Sequence, residues 1–282
     1  MWTDHSMKVY ISVDIEGICG VVDLDHTRRD GKDYTQARLL MTREVNEAAR
    51  GAFEGGASHV LINDSHGSMI NLILDELDER ITLISGSPKP LSMIQGIEEC
   101  DAAFFIGYHA PAGTIDAVMD HTYHGRVVYG LQVNGRKMGE LDMNAALAGY
   151  YGVPVILVSG DKKTTEKAQE LLKSVETVVS KEGIGRFAAW SRHPSKVREE
   201  IRKKARFAVE TVHRFIPFQM DPPYELQIDF LQSHMADRVD LIPEIDRTSA
   251  RSVTYCSEDF SKLYTMMRAM ILLASTGIPR KS

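Results

Sequence analysis

The sequence predicts an α/β protein: a mostly parallel sheet flanked by helices in a three-layer α/β/α arrangement, with a smaller C-terminal α+β unit. Three observations predict it. Four short apolar runs, "VYISVD" (9–14), "HVLIND" (59–64), "AAFFIG" (102–107) and "VPVILVSGD" (153–161), have the near-continuous hydrophobicity of strands covered on both faces. A strong helical pattern separates the first two. Beyond Asp161 the alternation of apolar strand and helix gives way to longer, more polar helical patterns.

The elements can be justified in order. "ITLISG" (81–86) reads as a fifth strand. In "YTQARLLMTREVNEAARGAFEGG", Leu40, Met41, Val45, Ala48, Ala49, Ala52 and Phe53 recur at steps of three and four, and Gly55-Gly56 stops the pattern. Strand, helix, strand in repetition implies right-handed crossovers over residues 7–162. From 163 to 282, "TTEKAQELLKSV" and "PSKVREEIRKKARFAVETV" read as helices, "YELQIDFL" and "RSVTYCS" as strands, and "EDFSKLYTMMRAMILLAS" as a closing helix. This second unit completes the fold in the plainest reading, and its exposed strands are compatible with oligomer contacts.

Composition narrows the function. With 33 Lys+Arg against 39 Asp+Glu the net charge is -6, and the absence of a dense basic run argues against a nucleic-acid partner. Cys19, Cys100 and Cys256 are widely spaced without a C-x-x-C pair, which suits a reducing cytoplasm rather than a disulfide framework or a thiolate metal site. The most apolar late segment, "MMRAMILLAS", is short and carries Arg268, so no membrane span is expected. The six residues before Met7 read as an extension ahead of the natural start. Neither G-x-G-x-x-G nor G-x-x-x-x-G-K-[ST] occurs, and "SGDKKTT" only superficially resembles a phosphate loop.

The strand ends carry the chemistry. The first strand stops in Asp14 and Glu16, which strand alternation places on one face, where their charges repel unless water, a proton or a cation intervenes. A solvated strand end and a cation site both fit that pair. The second strand runs into "NDSHG" with His66, and the third into "GYHAPAG" with His109. In an open parallel sheet the carboxyl ends of the strands share one rim, so these four residues can converge there. Each also has an ordinary role: Asp64 and Ser65 suit the cap of a following helix, and single histidines are common loop residues. Glu140 opens a small-residue helix that could reach the same rim, although the helix dipole alone would favour a carboxylate there. His121 and His124 lie on a glycine-flanked loop. Carboxylates and imidazoles without thiolates suit zinc in a hydrolytic site, and five candidate ligands suit two ions better than one.

Taken in order, "SVDIEG", "NDSHGSM", "GYHAPAG", "VMDHT" and "MGELDMNA" resemble the D-aminopeptidase family of zinc metallopeptidases from about Met7 through the 150s. The resemblance implies two zinc ions per chain on Asp14, Glu16, His66, His109 and Glu140, with Asp14 bridging, and a catalytic histidine at His121. It gives His124 no counterpart. It further implies a metal-activated water attacking short peptides with N-terminal D-residues, and a ring-like homodecamer that admits only small peptides. Asp120 and Asp142 stand where the family pattern leads one to expect small uncharged residues. Two other classes compete: a dinuclear amidase or phosphodiesterase on another small substrate, and a non-enzymatic peptide-binding protein. The usual D-x-H, G-D-x-x-D and G-N-H blocks of metallophosphoesterases are missing.

Overall fold

In the computed structural model residues 6–276 and residue 278 are described. The expected extension before Met7 lies, apart from Ser6, outside them. Twelve strands form two sheets among the described residues. The first contains β1 (Lys8–Val13), β2 (His59–Asp64), β3 (Thr82–Ile84), β4 (Ala102–Tyr108), β7 (Val155–Asp161), β8 (Glu176–Gly185) and β9 (Ala188–Ser191) in the order β3-β2-β1-β4-β7-β8-β9. All neighbours are parallel except the β8–β9 edge hairpin. The second sheet is antiparallel, β11 (Asp246–Arg247), β12 (Ser252–Ser257), β10 (Tyr224–Phe230), β5 (Val128–Val133) and β6 (Arg136–Lys137), in that order. Both sheets draw strands from either side of residue 162.

Side-chain alternation along β1 explains the layers. Val9, Ile11 and Val13 join the core shared with α2 (Tyr34–Glu54) and α5 (Pro194–Glu210), while Tyr10 faces the other way. That opposite face is covered by α3 (Glu140–Tyr150), α4 (Lys162–Leu172), α7 (Phe260–Ser275) and the second sheet. Two short helices, α1 (Leu24–Thr27) and α6 (Ser233–Val239), complete the chain. No helix among the described residues is long and apolar enough to cross a membrane.

Strand order positions the site. The chain steps outward from β1 to β2 and β3, then returns to place β4 on β1's other side, so β1 and β4 flank the topological switch point. Open α/β sheets hold ligands in the crevice at that point. Val13 is level with both Asp64 and Ile106, which sets the ends of β1, β2 and β4 side by side. Beyond β1 the chain stays pinned to β4: the Asp14 amide donates to the Ile106 carbonyl at 2.8 Å and the Gly17 amide to the Gly107 carbonyl at 2.7 Å.

This contact demands glycine. A Cβ on Gly17 would lie 2.0 Å from the Tyr108 carbonyl oxygen, and one on Gly107, whose φ is +70°, would lie 2.2 Å from the Asp14 carbonyl oxygen. Gly17→Ala is therefore expected to destabilise the fold by about 1–3 kcal/mol, as overpacking does. Thermal unfolding checks this: an unchanged midpoint would show that the two segments are not in such contact.

Candidate metal centre

Asp14, Glu16, His66, His109, His121 and Glu140 come together at the ends of β1, β2 and β4. Asp14 follows β1 directly and accepts the Ile15 amide on Oδ1 at 2.9 Å. Glu16 arrives by a different route from the one alternation suggests, because β1 ends at Val13 and the turn held at Gly17 carries it. His66 sits on the loop after β2. Asp64 braces that loop by accepting the amides of Asn71 (2.5 Å) and Leu72 (2.8 Å), so it closes a turn and does not cap a helix. Ser65 bonds to Ser12 at 2.7 Å beneath the site. His109 follows β4, Glu140 is the first residue of α3, and His121 lies on the loop between β4 and β5.

The donors are close and dry. Asp14, Glu16, His109 and Glu140 are each at most 5% exposed. His66 Nδ1 lies 3.1 Å from Asp14 Oδ1 and 3.0 Å from Glu16 Oε2. His109 Nε2 lies 3.5 Å from Asp14 Oδ2 and 3.3 Å from Glu140 Oε1. The two oxygens of Asp14 thus face different imidazoles. His121 Nε2 is 3.8 Å from Glu140 Oε1, and its ring stacks on that of His109 with centroids 4.1 Å apart.

Backbone carbonyls fix which nitrogen of each ring faces inward. His66 Nε2 meets Thr27 O at 2.9 Å, His109 Nδ1 meets Ala110 O at 3.0 Å, and His121 Nδ1 meets Met119 O at 2.9 Å. A carbonyl only accepts, so those nitrogens carry the protons. The opposite nitrogens then present lone pairs to carboxylates unless a second proton or a metal ion lies between.

The electrostatics follow from burial. Burial and the neighbouring Glu16 charge push the Asp14 carboxyl up to about 7. Burial acts on Glu16 in the same sense, but the charge of His66 holds that carboxyl well below the usual range. Burial opposes charging of the imidazoles, yet Glu140 and Asp14 hold His109 up at about 10, and Glu16 and Asp14 hold His66 well above its ordinary value. His121 moves the other way, lowered by burial and by His109.

The donor set fits divalent cations. Glu16 Oε2 and His109 Nε2 are buried polar atoms without a hydrogen-bond partner. Ligands about 2.0–2.2 Å from a tetrahedral zinc are about 3.4 Å apart, and the facing donor pairs here lie 3.0–3.5 Å apart. Nitrogen and oxygen donors without thiolate suit zinc at a hydrolytic centre.

A cavity of about 110 Å³ is lined by Asp14, Glu16, His66, His121 and Glu140 together with Tyr123 and Arg268. Beside it opens a larger pocket of about 600 Å³, lined by Glu16, His121, Tyr123 and His124 and by Arg28, Arg126 and Arg186. His124 belongs to this outer pocket. The two departures from the family pattern also find places outside the donor set. Asp142 accepts the Gly139 amide at 2.9 Å and pairs with Lys167 at 2.9 Å, and Asp120 accepts the Gly113 amide at 2.6 Å and pairs with Arg186. Sequence reasoning missed Tyr123, whose amide donates to Glu140 Oε1 at 2.5 Å, and Arg268, whose guanidinium lies 5.1 Å from the centre of the Tyr123 ring. Main-chain donation leaves no signature in residue type. Arg268 did carry one, a charge within an apolar helical stretch.

The chain is similar to known proteins along nearly its whole length. The family model described as D-aminopeptidase (peptidase M55) matches residues 7–269. The chain is 36% identical over 273 residues to the D-aminopeptidase of Bacillus subtilis (strain 168), covering 95% of this chain and 98% of that one. Among solved structures it matches the Zn-dependent D-aminopeptidase DppA from Bacillus subtilis, a self-compartmentalizing protease. The TM-score is 0.93 at 35% identity, with 97% of this chain and 100% of that one covered. In motif, fold and extent of match, the chain belongs to the D-aminopeptidase family.

Proposed function

We propose that the protein is a zinc-dependent aminopeptidase hydrolysing short peptides, its preferred substrates carrying an N-terminal D-residue. Asp14, Glu16, His66, His109 and Glu140 would hold two zinc ions per chain. One observation carries this reading: the Asp14 carboxylate faces His66 through Oδ1 and His109 through Oδ2, at 3.1 and 3.5 Å. When bound, the two ions supply Lewis acidity toward a scissile carbonyl and bring the acidity of water toward neutrality.

The chain's own residues do the rest. His121, fixed through Nδ1 and stacked on His109, offers Nε2 on the side of Glu140 and of both pockets, where it moves a proton or stabilises developing negative charge. The arginines of the outer pocket suit the free carboxylate of a short peptide. Family membership favours this reading over a phosphodiesterase or a transport-linked binding protein. The protein's setting is the cytoplasm, where Cys19, Cys100 and Cys256 stay unpaired. It assembles as a ring-like homo-oligomer, a decamer by family resemblance, with the C-terminal unit (163–282) contributing contacts. Light scattering of the purified protein tests that assembly.

Three outcomes test the site. The wild-type chain is expected to carry about two zinc equivalents by elemental analysis and to lose hydrolysis of D-alanyl peptides on chelation. Asp14→Ala should strip both ions, whereas Glu16→Ala should chiefly weaken one; equal zinc content in all three proteins would sink the assignment. His121→Ala should lower kcat about 10²–10⁴-fold with zinc content retained, and full activity in that variant would remove His121 from the chemistry.

A further inference from the structure

Lysine is almost never taken fully out of water unless its ammonium is satisfied. Lys181, on β8, is 0% exposed, and no ion pair is formed by it among the described residues. Its Nζ donates instead to three main-chain carbonyls, those of Glu16 at 2.5 Å, Ile18 at 2.8 Å and Val21. Three N–H groups meet three acceptors. The preceding Ser180 hydroxyl lies 2.5 Å from the Gly17 carbonyl and 3.0 Å from that of Gly160. Two consecutive residues of one strand therefore gather the carbonyls of residues 16, 17, 18 and 21.

We propose that Lys181, assisted by Ser180, is the positioning residue for Glu16. The inference rests on Glu16 holding zinc, as proposed above. Glu16 lies beyond the end of β1, where the Gly17 amide on Gly107 holds one side of its backbone and the Lys181 ammonium takes its carbonyl on the other. Converging carbonyl dipoles repel one another, and a buried cation at their focus reverses the sign of that interaction. The ammonium thus keeps the loop folded inward, and the Glu16 carboxylate stays 3.0 Å from His66. His109 and Glu140 depend on β4 and α3, whose residues Lys181 does not bond, so its influence falls on one side of the centre only. A lysine that merely filled the core would lower stability without distinguishing the two ions.

The test is zinc titration calorimetry on chelator-stripped full-length chains. Lys181→Met keeps most of the side chain's length without its charge and should weaken one of two zinc equivalents about 10–100-fold while leaving the other unchanged. Ser180→Ala should weaken the same equivalent to a smaller extent. Adding Glu16→Gln to Lys181→Met should cost little more, because the two residues serve one ligand. Wild-type affinity at both sites in Lys181→Met, or equal loss at both, overturns the proposal. Should that variant fail to fold, Ser180→Ala decides, and two unaltered sites there overturn it equally. Zinc binding by the wild-type chain tests the functional reading, and only the difference between chains tests the clamp.

Discussion

The burial of three carboxylates in one crevice is the constraint on which the rest depends. Asp14, Glu16 and Glu140 are almost wholly removed from water, and each such ion costs several kcal/mol to desolvate. Their neighbours offset that cost in a directed way. The Ile15 and Tyr123 amides donate to Asp14 and Glu140, and His66 and His109 point single ring nitrogens at the carboxylates because carbonyls hold the other nitrogens. Balancing the acids with protons alone requires histidines held above their ordinary range. Divalent ions supply the same balance with no proton on the inward nitrogens.

Much of this was legible in the sequence because it lay at strand ends. Continuous apolar runs mark β1, β2, β4 and β7 within about two residues, since strands covered on both faces need apolar residues at every position. The glycine stop after α2 also stands where expected. The strands missed are those without that signature. β8, "ETVVSKEGIG", mixes buried and exposed positions and hides a charged residue in its interior, while β5, "VYGLQV", follows a long loop with little periodicity. A buried lysine satisfied by main-chain carbonyls cannot be read from residue type, because the carbonyls are the same in any sequence.

Asp14 and Glu16 show where pattern reasoning reached a sound juxtaposition by an incomplete route. Alternation assumes a continuing strand, yet the chain leaves the ladder after Val13 and turns across β4. What keeps the two acids together is the contact of Gly17 with Gly107, a close approach of two backbones that period-two reasoning does not contain. The glycines flanking the acids were visible. Their partner was not, because it lies some ninety residues away on another strand.

The placement of Glu140 depends on the second sheet. The chain leaves β4 at His109, forms the loop bearing His121, builds β5 and β6, and only then returns to begin α3 at Glu140. Both ends of this excursion must therefore meet at the rim, and the Tyr123 amide on Glu140 ties the middle of the loop to its far end. The helix is suited to that return. Its residues from Glu140 to Gly149 are buried, small side chains let it lie against the sheet, and Asp142 closes its first turn onto Gly139. A carboxylate at the first helical position also meets the positive end of the helix dipole. The second sheet thus acts as the spacer that returns the chain so that Glu140 meets His121, 3.8 Å from its Nε2.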